Sequence, residues 1–500
     1  MTPHDRAEPS LSAPRTCGVE AWLATALFGI ALGLVMASHE MWRDELQAWL
    51  LARDSSSLAD LWRNTRYEGH PLLWHLCLWA LARFGAPVAA MQVLHWAVAT
   101  GAAALLLHRA PFPFAARVAV VFSYLPFFEY GVISRNYAAT VLSLLLFAHL
   151  LARSRLWPAA GAAAVAANAS PMGMVLAPAL TLGLWVQGRR RALGPAVLVL
   201  AGVAASVAQC LPPLDYEHAR GWHPGWDGAR FGYTVRNFAA ALLPLPSNQL
   251  HFWNTSALFH TGTHPFEWTQ PRDLLACLLL LSALFGVAWL AWHRRPAAIV
   301  WLGGSASLLA FAYLKFPGAV RHGGFLWILA LVALWLAWSH ARLGRRVAAL
   351  AVVAAVAVAD LGTLVAVRWE LAAPFSGAAC AGKGLQALGL ARLPIVAGCD
   401  FAASGVSAYL GGGKILFPAL GTRGSFVVWN LDRLRQDTLT DGQLLEAAAA
   451  VDKGAGVIVL HNRPLELGAA HPPRCELLLS CGPTIVADEA QLAYLCRARP

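Results

Sequence analysis

The chain has 500 residues, of which 58% are hydrophobic and only 13% charged, with a mean hydropathy of +0.53. A water-soluble domain carries about 25% charged residues, so this composition excludes an ordinary soluble globule and indicates a polytopic, mostly α-helical membrane protein. The formal charge of +11 does not point to a nucleic-acid partner, because most arginines fall in short clusters between apolar runs, the pattern that sets membrane topology.

Residues 1–20 are polar and are expected to form a cytoplasmic tail. The first apolar run, 21–38, has no small-residue cleavage site after it and reads as a signal anchor that stays in the protein. Further apolar segments, near the ~20 residues that cross a bilayer, are placed at 70–84, 88–107, 115–128, 137–152, 157–169, 171–187, 194–211, 272–292, 297–314, 323–338 and 347–367. The clusters Gly188–Arg191, His293–Arg295 and Arg342–Arg346 belong in the cytoplasm. Counting outward from them puts 212–271, Lys315–His322, Glu129–Asn136 and everything after Arg368 outside. That count has one crossing too many, which is removed if 70–84, the segment whose start is least apolar, does not span. The expectation is therefore a membrane domain over 21–367, with about 11–12 transmembrane helices and eleven true crossings. It would be multi-pass in the plasma (bacterial inner) membrane, N-terminus cytoplasmic and C-terminus outside.

The first outside loop, 39–70, contains two short helical patterns: Leu46, Trp49 and Leu50 opposite Gln47 and Arg53, and Leu58, Leu61 and Trp62 opened by Ser57 and Asp60. Both are expected to lie flat at the membrane surface with Trp at headgroup depth. After Arg368 the apolar runs shorten. "LPIVAG", "KILF", "SFVVW" and "GVIVLH" read as strands and "DGQLLEAAAAVDK" as a helix. This gives a small extracytoplasmic α/β domain over 368–500, a docked cap or acceptor-binding module. "GGGK" at Gly411–Lys414 lacks the outer Gly and the Lys-Ser/Thr pair of a phosphate loop. Cys380, Cys399, Cys475, Cys481 and Cys496 allow one or two disulfides in an outside domain and leave a thiol over.

The chemistry-bearing residues gather in the outside loops. In "HEMWRDELQAWLL", His39–Leu51, Asp44 and Glu45 are adjacent, so on a helix their side chains diverge by about 100°. One can face a ligand while the other caps, pairs with Arg43 or holds a metal; the plain alternative is a solvated helix N-terminus. "RYEGHPLLW" brings Tyr67, Glu68 and His70 to the foot of the next apolar segment. "FFEYGVISRNYA" contributes Glu129, Arg135, Asn136 and Tyr137, and "KFPGAVRHGGF" contributes Lys315, Arg321 and His322. Charged groups near membrane depth are costly unless paired or functional, which suggests a shared site. Lys315, Arg321, His322 and Arg135 suit a phosphate or diphosphate. A carboxylate such as Asp44 suits a general base acting on an acceptor hydroxyl or amine. Together they describe displacement at a sugar carbon with a lipid phosphate as leaving group; because that group departs as an anion, cations can replace a general acid.

An acidic pair in the first outside loop, followed by short amphipathic helices and the "RYEGHPLLW" segment, resembles the GT-C superfamily of membrane glycosyltransferases. The likeness is to the branch of protein O-mannosyltransferases and lipid A aminoarabinose transferases, over roughly residues 20–200. The resemblance implies Asp44 as catalytic base with Glu45 in support, in an inverting transfer from a polyprenyl-phosphate sugar that enters from the membrane lipids. Arg43, Tyr67, Glu68, His70, Glu129, Asn136 and Tyr137 would line the substrate pocket. The acceptor, whether glycan, lipid or protein, does not carry over. Many family members place a second acid on the next outside loop, sometimes assisting a divalent metal such as Mg or Mn; here Glu129 or Asn136 stands there in place of Asp, and Asp44 and Glu129 would be the ligands of such a metal. His251, His260 and His264 share loop 212–271, but Gly262 breaks the helix that a zinc pair would need. A transporter or flippase of a lipid-linked sugar is the alternative and would use the same cations, but no internal repeat is evident.

Overall fold

Apolar helices fill the chain from Val19 to Ala372. In order they are α1 (Val19–Ser38), α2 (Arg43–Asp54), α3 (Leu58–Asn64), α4 (Leu73–Arg83), α5 (Ala89–Arg109), α6 (Phe114–Phe122), α7 (Tyr137–Ala152), α8 (Leu156–Ala169), α9 (Pro171–Gly188), α10 (Leu193–Cys210), α11 (Gly228–Leu242), α12 (Pro271–Ala291), α13 (Arg295–Leu314), α14 (Val320–Ala337) and α15 (Arg345–Ala372). This computed structural model describes residues 18–217, 221–259, 261–262, 264–338, 345–466 and 474–497. The expectations for the tail 1–17, for His260 and for the basic cluster at Arg342 fall outside the described residues.

Among the described residues, six helical stretches are long and apolar enough to cross a membrane: α1, α5, the run Pro171–Cys210, α12, α13 and α14. Arg189, at φ 48°, breaks that run into α9 and α10, which fold back on each other and on α8. The outer faces carry the solvent's signature. Leu23, Leu27, Ile30 and Leu34 of α1, and Leu278, Phe285 and Trp289 of α12, are more than half exposed. Apolar patches of this size are not left facing water, and the helices have the length and composition of a membrane protein. The basic turns collect at one end of the bundle, where Gln187 donates to Ser154 at 2.8 Å and Arg294 donates to Gln187 at 2.8 Å.

Several expected spans take other forms. α4 has 11 residues, about 16 Å of helix, which is too short for a ~30 Å hydrocarbon layer. Segment 115–128 is not one helix: α6 stops at Phe122 and Leu125–Val132 is a π-helical turn. Pro126 has no N–H to continue the ladder and favours the wider turn. The outside loop 212–271 contains α11, capped by Asp227, whose carboxylate accepts from the Ala229 and Arg230 N–H groups at 2.9 and 3.0 Å. Arg236 of α11 is buried and ion-paired to Asp273 at 2.9 Å.

The C-terminal domain adds α16 (Ala378–Ala387), β1 (Ile395–Ala397), α17 (Asp400–Ser407), β2 (Ile415–Phe417), β3 (Thr422–Gly424), α18 (Asp441–Val451), β4 (Val457–His461), β5 (Arg474–Cys481) and β6 (Gln491–Arg497). The sheet order is β3-β2-β1-β4-β6-β5, with β1 parallel to β2 and β4 and the other pairs antiparallel. Disulfides join Cys380 to Cys481 and Cys475 to Cys496, and Cys399 is free. β1, β2, β4 and α18 coincide with predicted elements. "SFVVW" is not a strand. The side-chain amide of Gln47 takes both of its central backbone groups, accepting from the Val427 N–H at 2.9 Å and donating to the Val427 carbonyl at 2.7 Å.

That contact also explains why α2 differs from the expected surface helix. Every residue from Glu45 to Ala52 is buried. Leu46, Trp49 and Leu50 share one apolar core with Ile395, Val406, Ile458 and Leu495 of the C-terminal domain. α2 is thus sandwiched between the membrane helices and the sheet domain. α3 keeps Leu58 and Trp62 exposed, with Ser57 capping the Asp60 N–H at 3.1 Å.

Candidate active site

The site lies at the end of the bundle away from the basic turns, under the C-terminal domain. α2 starts at Arg43, so Asp44 and Glu45 sit in its first turn, where the helix dipole favours acids. Their side chains diverge as helix geometry requires. Glu45 turns into the protein and is fully buried. It accepts from the Trp42 N–H at 3.1 Å, from the Ser134 N–H at 2.5 Å, and pairs with His39 at 2.9 Å. The other nitrogen of His39 pairs with Glu370 of α15 at 2.9 Å. Burial alone would lower the His39 imidazole, but Glu45 and Glu370 raise it to about 10.

Asp44 faces a cavity of about 150 Å³ lined by Gln47, Tyr67, Glu68, His70, Arg135, Tyr216 and Trp429. Its carboxylate is hydrogen-bonded by Arg135 and lies 3.9 Å from Arg321. Burial by itself would raise the Asp44 carboxyl, yet Arg135, Arg321, Arg43 and His70 hold it below the usual carboxylate range. Glu45 places Arg135 through the adjacent Ser134, and the Arg135 guanidinium stacks 5.2 Å from the Tyr137 ring. His70 is within 3.4 Å of both Arg135 and Asn136, and Asn136 is anchored by the Ala169 carbonyl at 2.9 Å. Burial and the nearby Arg135 push the His70 imidazole down to about 3, so it is neutral at physiological pH.

Glu68 accepts from Gln47 at 2.7 Å. Burial, with a contribution from the Asp44 charge, pushes its carboxyl up to about 7 against the lowering effects of Gln47 and Arg135. Tyr67 donates to Asp215 at 3.0 Å. One cavity therefore holds a carboxylate stabilised as the anion, a second carboxyl that burial makes easier to protonate, and a guanidinium.

Arg321 also lines a second cavity, of about 290 Å³, with Trp42, Arg43, His251, Trp253 and Val486. Its guanidinium lies 4.8 Å from the Trp253 ring and 5.7 Å from the Trp42 ring, and donates to Asn254 at 3.2 Å. Cations stacked on aromatic faces keep their charge while staying partly desolvated. His322 joins through Tyr137, 3.0 Å from its Nε2.

Arg43, Lys315 and Glu129 take partners outside the Asp44 cavity, although Arg43 lines the second one. Arg43 turns to the C-terminal domain, donating to Asp488 at 2.7 Å and stacking 4.6 Å from Phe401. Lys315 lies over Trp222 at 5.6 Å and is not among the residues lining either cavity. Glu129 is buried and accepts from Trp253 at 3.1 Å and from Tyr124 at 3.3 Å. Among the described residues no group of three or more His, Cys, Asp or Glu is placed to hold a metal ion. The donors at Asp44 do not fit one well, since two guanidinium groups face the same carboxylate and repel a cation. Sequence reasoning did not identify Gln47, Tyr216, Trp253, Asn254 and Trp429 as site residues. Four of them lie far from Asp44 in the chain, and Gln47 looked like the solvent side of a surface helix.

Compared with known proteins, the sequence matches no family model and no curated relative.

Proposed function

We propose that the protein is a membrane glycosyltransferase of the GT-C type. It would move a sugar from a polyprenyl-phosphate donor to an acceptor at the extracytoplasmic face. The observation that carries the proposal is the Asp44 carboxylate held by Arg135 with Arg321 at 3.9 Å, in a cavity at the ends of the apolar helices away from the basic turns. A carboxylate beside two guanidinium groups suits a reaction in which a proton is taken at one atom and an anion leaves from another. The donor phosphate takes the N–H groups of Arg321 and Arg135. Asp44, relieved of both cations, then regains the basicity to accept a proton from the acceptor hydroxyl or amine. Attack on the opposite face of the sugar carbon expels the lipid phosphate with inversion. His70, Asn136 and Tyr137 position Arg135, and no step needs a divalent ion.

The topology that goes with this reading has eleven crossings, with α4 excluded and α6 joined to the π-helical turn as one. The arginine turns then face the cytoplasm, as the positive-inside rule requires, and the C-terminal domain lies outside. The two disulfides support that side, since they persist in oxidising compartments. A cysteine placed at Lys315 is expected to react with a membrane-impermeant maleimide added from outside, and one at Arg191 only after permeabilisation. The reverse pattern would put the site in the cytoplasm and remove the lipid-phosphate donor.

Glu68 gives the rate a pH dependence. Below about pH 7 its carboxyl is neutral; above it, a second negative charge appears beside Asp44 in a cavity that must admit a phosphate. Transfer is therefore expected to fall as pH rises through about 7. Glu68→Gln should flatten that limb, and an unchanged profile would assign it to another group.

A further inference from the structure

The C-terminal domain contains a cavity of about 300 Å³ that the proposed reaction does not use. Its place follows from the topology. β1 has parallel partners on both sides. The chain leaves β1 through α17, which packs with Ile395 and Ala397 on one face, and reaches β4 through α18, which packs with Val396 and Val459 on the other. Connections on opposite faces open a crevice beyond the carboxyl ends of the two strands, the position at which doubly wound sheets hold ligands. The cavity is there: Gly398 and Cys399 follow β1, Asn462 and Arg463 follow β4, and Gln436 and Thr440 close it. A side chain at 398 would meet the His461 ring at 2.9 Å, so the back wall requires glycine.

The lining selects a ligand class. Both cations are already neutralised: Arg433 bonds Asp400 at 2.8 Å and Glu217 at 2.7 Å, and Arg463 bonds Asp441 at 2.7 Å. Asp400 fills the first turn of α17, and its N–H donates to Gln436 at 2.8 Å. Among the described residues that line it, no arginine is left unpaired for a phosphate. The other polar groups are the Gln436 and Asn462 amides, the Thr440 hydroxyl, the His461 imidazole, the Cys399 thiol and the edges of the ion pairs, a mixture of donors and acceptors that suits hydroxyls. The Gln436 Nε2 is buried without a partner, and an unsatisfied buried donor favours a ligand that satisfies it.

The crevice also adjoins the Asp44 cavity. Tyr216 lines that cavity and the next residue, Glu217, lines the crevice. Trp429 lines the former, and Arg433 of the latter stacks 4.1 Å from its ring. We propose that the crevice binds an uncharged, hydroxyl-rich stretch of the acceptor glycan and leads its end toward Asp44. The acceptor role rests on the glycosyl-transfer proposal; the hydroxyl-rich class rests on the lining alone.

The test is calorimetric titration of the full-length protein in detergent, without donor. Neutral trisaccharides of mannose, glucose and N-acetylglucosamine are the probes, with inorganic phosphate and UDP as charged comparators. At least one neutral trisaccharide should bind saturably and slow alkylation of Cys399, read by peptide mass spectrometry. Asn462→Ala and Gln436→Ala, each shown to be folded by its melting curve, should each weaken binding about tenfold or more, the loss expected when a buried polar contact to the ligand is removed. Overturning results are no saturable binding of any neutral trisaccharide, tighter binding of phosphate or UDP, or binding indifferent to both substitutions. Because the titration contains no donor, its failure is separate from failure of the transferase reading, which is measured on Asp44→Asn.

Discussion

Replacing Asp44 with Asn is expected to lower sugar transfer by about 10²–10⁴-fold, the range for loss of a general base, while the protein stays folded. The substitution keeps the side chain's shape and an oxygen that can still accept from Arg135, so the cavity wall should not collapse. It removes the only property the mechanism requires of this group, its ability to take a proton. Because an amide competes less well than a carboxylate for Arg135 and Arg321, donor KM should not rise, and the loss should fall on kcat. The measurement is transfer from a labelled polyprenyl-phosphate sugar by purified protein in detergent, with melting temperature as the folding control. A variant within about threefold of wild type, far short of a general base's contribution, would remove Asp44 from the role. Transfer by the wild-type protein in detergent, with no gradient, would also count against a transporter.

His39→Leu should destabilise the protein by about 3–5 kcal/mol, the cost of removing one partner from a buried ion pair. His39 joins Glu45 of α2 to Glu370 of α15, and both of its ion-pair contacts are inaccessible to solvent. Leucine would leave two buried carboxylates facing each other without a counter-charge. The pH dependence follows from the imidazole's shift from 6.5 to about 10 on folding. A group whose folded value is raised contributes stability that is complete below its unfolded value and lost as pH rises through the folded one. The wild-type melting temperature should therefore decline between about pH 6.5 and 10, and His39→Leu should lack that component of the decline. Equal slopes in the two proteins would show that His39 is neutral in the native state.

The class of the molecule was legible because apolar segment length is a local property. Strands β1, β2 and β4 and helix α18 were legible for the same reason: each carries its periodicity within a few residues. What was not legible depended on partners far away in the chain. "SFVVW" has every local mark of a strand, yet its backbone groups are taken by the side chain of Gln47. Leu46, Trp49 and Leu50 have the spacing of a surface helix, and nothing near them in sequence says that a sheet domain covers the other side. β5 and β6 are harder still, since the run Leu477–Leu479 breaks the alternation that Arg474 to Leu477 begins, at the irregularity in their pairing, and a disulfide from Cys475 to Cys496 ties them together. At the site, the divergence of Asp44 and Glu45 was readable from helix geometry. The direction of Arg43 was not, because Asp488 and Glu489 decide it.

The hydrogen bonds between Gln47 and Val427 span 380 residues of chain. The segment bearing Asp44 enters the membrane early in synthesis, while the sheet that walls in α2 is made last. Until that sheet closes, α2 has an apolar flank with nothing against it and Glu68 lacks a fixed neighbour in Gln47. Such an order delays assembly of the cavity until the whole polypeptide has been made, so a truncated or stalled chain would carry the residues without the cavity.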